Sequence, residues 1–214
     1  MPITPSLFPE LILRIELTIA AHADEVTELD QAIGDGDHVF NLQHGLQALA
    51  AEAPAIAAQP WPDAWRKIGM LLMSKVGGAS GALYATLFIA LAKSAPAEPA
   101  VSDFAAAFGL AVEAVKQRGK AEAGEKTLLD VLIPVAAALK LHADAAAPLP
   151  ELLAQIPPLA EASAEATRDM LATKGRASFL GERSRGHIDA GAKTAALMIA
   201  AVCQTLSQNL GAQP

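Results

Sequence analysis

Helix breakers fall along this chain at intervals that leave helix-length segments between them and room for little else. Pro54 and Pro60, Gly77-Gly78, Pro96 and Pro99, Gly119 to Gly124, and Pro148 with Pro150 mark successive connections. The spacing predicts eight helices, over residues 8–32, 38–52, 61–75, 80–94, 101–118, 126–143, 149–173 and 190–208. The first carries the clearest pattern: Phe8, Leu11, Ile12, Ile15, Ile19, His22, Val26, Leu29 and Ile33 recur at steps of three and four, the period of one apolar helix face. No run alternates with the period of a strand, and alanine and leucine dominate over β-branched residues. The expected class is all-α. Short connections make neighbouring helices antiparallel, so the chain should form an up-and-down bundle or barrel, with 1–214 as a single domain.

A net charge of −7 and a pI near 5.2 argue against nucleic acid or an anionic membrane as a partner, since both demand a basic face. Cys203 is the only cysteine, which excludes a disulfide framework, a CxxC redox pair and thiolate zinc sites. The first ten residues lack the basic and apolar regions of a signal peptide, and no apolar run is long enough for a membrane span. The expected location is the cytoplasm.

The densest chemistry lies between Glu28 and His38, where three aspartates, a histidine and two glycines stand within eleven residues. Asp30 falls on the apolar face of the first helix, four residues after Val26, near a helix C-terminus where a carboxylate meets the negative dipole end. On one continuous helix Asp35 would point roughly 140° away from Asp30. Gly34 and Gly36 let the backbone turn, so Asp35 and Asp37 can fold back toward Asp30. Three carboxylates at one point, with no lysine or arginine between residues 16 and 65, repel unless divalent ions sit among them. All-oxygen ligands favour Mg²⁺, Mn²⁺ or Ca²⁺. An EF-hand is excluded, because position 12 counted from Asp30, Asp35 or Asp37 is Asn41, Leu46 or Ala48 and never glutamate. The competing reading is a solvated turn in which Asp37 caps the next helix.

Three further polar stretches stand out. In Val76-Gly77-Gly78-Ala79-Ser80-Gly81 the free amides and positive dipole of a helix N-terminus make a phosphate cradle; the plainer reading is a serine cap. Gly119-Lys-Ala-Glu-Ala-Gly124-Glu-Lys126-Thr127 is not a Walker A loop, because Glu125 separates Gly124 from Lys126 and no strand precedes it. Lys174 to Gly191 concentrates Arg176, Arg183, Arg185 and His187, and arginine forks match phosphate oxygens; a solvated basic loop is the alternative. These stretches and the aspartate turn are the first, third, fifth and seventh connections, which in an up-and-down bundle share one end. His22 and His142 receive no role.

Taken together, Leu29-Asp-Gln-Ala-Ile-Gly-Asp-Gly-Asp-His38, Gly77-Gly-Ala-Ser-Gly81, Gly119-Lys-Ala-Glu with Gly124-Glu-Lys-Thr127, and Gly175-Arg-Ala-Ser-Phe-Leu-Gly-Glu-Arg-Ser184 followed by Gly186-His187-x-Asp189 resemble the nucleotide-binding L subunit of dihydroxyacetone kinase. The same family occurs as the C-terminal domain of one-chain ATP-dependent dihydroxyacetone kinases. The resemblance covers nearly the whole length and implies an eight-helix antiparallel barrel. It implies that Asp30, Asp35 and Asp37 hold two Mg²⁺ ions, which hold the phosphates of ADP or ATP. It also places nucleotide contacts at His38, Val39, Phe40, Asn41, Ala79, Ser80, Gly119, Leu128, Arg176, Ile188, Asp189 and Ala190. The sequence departs from the family where Ala190 replaces a frequent proline and where Val39 replaces a small residue after the histidine.

Phosphoryl transfer needs charge neutralisation and alignment more than side-chain chemistry. Arg176 is the candidate for stabilising developing charge, and His38 reads as a phosphate contact rather than a covalent carrier. The resemblance implies that the ketose sits on a separate K subunit and that a phosphohistidine protein of the phosphotransferase system recharges resident ADP. The alternatives are a subunit of an ATP-dependent kinase for a related small ketose, a metal-dependent phosphohydrolase on the same aspartates, and a helical adaptor that needs no metal.

Overall fold

The computed structural model describes residues 3–211, and among them every regular element is helical. Nine α-helices follow in order: α1 (Phe8–Ala21), α2 (Ala23–Ile33), α3 (His38–Ala57), α4 (Trp61–Lys75), α5 (Gly78–Ser94), α6 (Val101–Gly119), α7 (Leu129–Asp144), α8 (Leu149–Ala166) and α9 (Ala190–Gly211). Short 3-10 turns cover Pro5–Leu7, Thr167–Asp169 and Arg176–Ser184.

The packing closes a ring of eight positions. α1 packs on α3, each helix from α3 to α8 packs on its successor, and α9 returns to α1. The expected barrel is therefore present, but its first position holds two helices instead of the single one expected over 8–32. His22 leaves helical geometry (φ −111°, ψ 14°) between α1 and α2, and neither glycine nor proline marks the place. The bend keeps Ile19 and Val26 in the core while α2 reaches both α3 and α9.

Other boundaries moved for local reasons. α3 runs through Pro54 to Ala57, because Pro54 is exposed in the last turn and forfeits one hydrogen bond, while Ile56 beside it stays packed in the core. α7 starts at Leu129, three residues later than expected, since Lys126 is left-handed (φ 62°). α8 stops at Ala166 instead of 173: the Thr167 hydroxyl donates to the Ala164 carbonyl at 2.6 Å, and the chain then leaves the helix.

Small residues let the helices close up. Ala64, Ala85, Ala111, Ala160, Ala164 and Ala192 are fully buried, interleaved with Ile19, Leu42, Ile56, Val115 and Val131. Phe8, Trp61, Trp65, Phe104 and Phe108 stack in series, with centroids 5.0–6.2 Å apart. Phe8, Trp61 and Phe104 lie at the starts of α1, α4 and α6, so this aromatic series fills the end of the barrel opposite the aspartate turn. Among the described residues no helix is long and apolar enough to cross a membrane.

Candidate functional site

α2 ends at Ile33, and the chain turns through 34–37 before α3 begins at His38. The turn depends on Gly34, where a Cβ would lie 2.3 Å from Asp30 Oδ1, and on Gly36, which is left-handed at φ 77°. Folded this way, Asp30, Asp35 and Asp37 bring one carboxylate oxygen each within 4.8 Å of one another. Asp37 occupies the N-cap position of α3, yet its side chain makes no capping bond. That function falls to Asp30, whose Oδ2 accepts the His38 backbone N–H at 3.1 Å. The plain capped turn is thus not what forms, and Asp37 stays available.

The expected lack of nearby cations holds locally but not in space. Arg176 crosses from the seventh connection and places Nη2 2.8 Å from Asp35 Oδ2. One guanidinium offsets one of three carboxylates. A set of three oxygen donors at this spacing suits a hard divalent cation.

His38 joins this cluster to the helix ends around it. Its Nδ1 lies 3.2 Å from Ser80 Oγ, in the first turn of α5, and its Nε2 lies 2.9 Å from Thr194 Oγ1 on α9. Burial pushes the ring below the ordinary histidine range, against the opposing pull of Asp30 and Asp37. Asn41, one turn along α3, rests on the glycine loop: a Cβ on Gly77 would meet its Oδ1 at 2.6 Å. α5 starts at Gly78, so the amides of Gly78, Ala79 and Ser80 belong to the unpaired first turn of a helix, pointing toward the same end as the aspartates.

A second group of contacts knits the fifth and seventh connections. Lys126 is 1% exposed, and its ammonium donates to the carbonyls of Thr167, at 2.6 Å, and of His187. Burial lowers its pKa, with Asp189 opposing. Asp130 folds the approach to α7 by accepting the Gly124 and Thr127 amides. Asp189 caps α9 by accepting the Ala192 N–H at 2.7 Å, while its own N–H donates to Thr167 Oγ1 at 2.9 Å. Burial raises its carboxyl to about 7. Leu128, Ile188 and Ala190 are buried beside this junction, and Gly191 lies against Leu128.

Of the residues singled out in the sequence, Asp30, Asp35, Asp37, His38, Asn41, Ser80 and Arg176 come together, with Ala79 exposed beside Ser80. Val39 points into the core, so its bulk does not crowd the carboxylates, and Phe40 is 73% exposed. Gly119 ends α6 against Leu83 and Ala121. Sequence reasoning missed Thr194, hidden in the apolar run of α9, and assigned no role to Lys126. The signal for Thr194 was its position four residues after Ala190, on the same face of α9.

A family model described as the DAK2 domain matches residues 32–204. The chain belongs to the DAK2 domain family. Members similar to it include a Listeria innocua protein named as the ADP-binding subunit DhaL of a PEP-dependent dihydroxyacetone kinase. It is 41% identical over 181 residues, which span 84% of this chain and 86% of that protein. The subunit of the same description from Escherichia coli K12 is 38% identical over 182 residues, 84% of this chain and 87% of that one. The crystal structure of the C. freundii dihydroxyacetone kinase in complex with AMP-PNP and Mg²⁺ superimposes with a TM-score of 0.68 at 21% identity, over 98% of this chain and 35% of that one. That likeness shows the shared helical fold.

Proposed function

We propose that this chain, acting as a single domain, is the ADP-binding, phosphoryl-transferring subunit of a dihydroxyacetone kinase. The observation that carries this reading is the convergence of Asp30, Asp35 and Asp37 beside the open first turn of α5 and the guanidinium of Arg176. The relatives named above as ADP-binding subunits, and the AMP-PNP and Mg²⁺ of the C. freundii complex, supply the ligand class.

On this reading Asp30, Asp35 and Asp37 hold two Mg²⁺ ions, which when bound neutralise the polyphosphate of ADP or ATP. The amides of Ala79 and Ser80 grip phosphate oxygens at the positive end of α5. Arg176 exchanges its carboxylate partner for the transferring phosphoryl group, where its charge counts most as negative charge spreads. His38 holds the turn and α5 in register through its two ring nitrogens. Gly119, Leu128 and the stretch Ile188–Asp189–Ala190 form the more apolar side against which the rest of the nucleotide lies, with Val39, Phe40 and Asn41 at the base of α3.

The partners follow from the same reading. A K subunit binds dihydroxyacetone and accepts the phosphoryl group, and a phosphohistidine protein returns resident ADP to ATP, in keeping with the PEP-dependence in the relatives' names. The test mixes this chain, a K subunit, dihydroxyacetone and excess ATP without the phosphohistidine protein. A single stoichiometric burst of product is expected. Sustained turnover at full rate would mean free exchange with bulk ATP and would replace this reading with the ATP-dependent one.

A further inference from the structure

The hydrogen bonds of His38 fix more than the shape of the site, on the reading of that site as the place where nucleotide and cation bind. Thr194 Oγ1 lies 2.9 Å from His38 Nε2 and 3.1 Å from the Gly191 carbonyl. A carbonyl only accepts, and a hydroxyl has one proton to give. Once that proton is spent on Gly191, the Thr194 oxygen offers lone pairs alone, and His38 Nε2 must carry the hydrogen. Tyr84 adds to this: its hydroxyl is sealed in the core beside Thr194, with no partner of good geometry, so its proton has the same oxygen to turn toward. A threonine oxygen with two donors around it has no reason to take its proton back from Gly191.

The consequence reaches Ser80. With hydrogen on Nε2, the neutral ring presents a bare Nδ1, and Ser80 Oγ, 3.2 Å away, donates its proton to it. We propose that Thr194 is a positioning residue which fixes the Nε2–H tautomer of His38 and so turns the Ser80 proton inward, leaving Ser80 to face its ligand as an acceptor. An outward lone pair repels an anionic phosphate oxygen and suits a divalent cation or a water in its shell. The phosphate grip in the first turn of α5 is then left to the backbone amides.

Two measurements test this. The first is a long-range proton–nitrogen correlation spectrum of histidine-labelled protein at about pH 8, above the ordinary range of the imidazole. Parent and Thr194→Ser should carry the His38 proton on Nε2, and Thr194→Val, which removes the acceptor at little change in shape, should move it to Nδ1. A proton on Nδ1 in the parent, or no change of tautomer in Thr194→Val, would overturn the proposal. The parent spectrum decides the tautomer even if the valine variant does not fold. The second measures Mg-ADP affinity in a double-mutant cycle between positions 80 and 194, which do not touch. Ser80→Ala should weaken binding about tenfold in the parent and in Thr194→Ser, the worth of one good hydrogen bond to a charged group. In Thr194→Val the same change should have little further effect. Additive losses would overturn the coupling. No Mg-ADP binding by the parent would remove the reading of the site and the ligand-facing role of Ser80 with it, while the spectrum still decides the tautomer.

Discussion

Arg176 and Asp35 stand 141 positions apart in the sequence, yet their side chains meet at 2.8 Å across the mouth of the barrel. Both groups are well exposed, with 70% and 33% of their side-chain surfaces accessible, so the pair adds little to stability. Its value lies in placing a guanidinium beside the carboxylates. Arg176→Gln should therefore change the unfolding free energy by less than about 1 kcal/mol. Phosphoryl transfer should fall at least about 100-fold in kcat with a smaller change in nucleotide affinity. Chemical denaturation and steady-state kinetics check the two halves.

Removing one carboxylate should separate stability from binding. In metal-free protein, Asp37→Asn relieves repulsion without taking away a hydrogen bond, because Asp37 makes no cap to α3. Its melting temperature should hold or rise. The stabilisation by Mg-ADP, about 2.7 kcal/mol at a hundredfold excess over Kd in the parent, should vanish. Thermal melts with and without magnesium and ADP read both effects.

Lys126 tests how the far side of the site is built. Lys126→Met keeps the stem and deletes the ammonium, leaving the Thr167 and His187 carbonyls without their donor. The expected loss is about 2–4 kcal/mol, from one to three for each buried acceptor partly recovered by relaxation. Hydrogen exchange should show the amides around Ile188 to Ala192 opening first, before the core of α9.

How far such features could be seen in the sequence differs from one to the next. Gly34, Gly36 and the apolar period through Val26 together give the convergence of the three aspartates, because a turn with two glycines has few other ways to go. The ring of eight positions follows from the breakers for the same reason. The bend at His22 has no such marker: a histidine on an apolar face reads as helix, and only packing of α2 against α3 and α9 makes the break worthwhile. The Arg176–Asp35 pair, the Lys126 junction and Thr194 depend on contacts between distant connections, which local pattern does not encode. Lys126 looked like part of a failed phosphate motif, and its left-handed backbone (φ 62°) is what turns it inward.

Asp189 should leave a signature in the pH dependence of stability. Its carboxyl titrates at about 7 in the fold against 3.8 ordinarily, because burial disfavours the charged form. The folded state then holds a proton that the unfolded chain has released, so the contribution is complete below pH 3.8 and is lost as pH rises toward 7. Between these limits the melting temperature of ligand-free parent should fall, relative to Asp189→Asn, by on the order of 5 °C. The asparagine still offers an oxygen to the Ala192 N–H, so the cap of α9 survives. Parallel melts across that range, with equal slopes for the two proteins, would count against a buried carboxyl.

If the three aspartates hold a nucleotide through magnesium, native mass spectrometry of the protein should detect the complex. After incubation with magnesium and ADP and removal of excess ligand, a complex carrying one ADP is expected. That complex should be lost on chelation and should not form with Asp37→Asn. A parent that retains no nucleotide with magnesium present, or an Asp37→Asn variant that retains it as well as the parent, would contradict the claim.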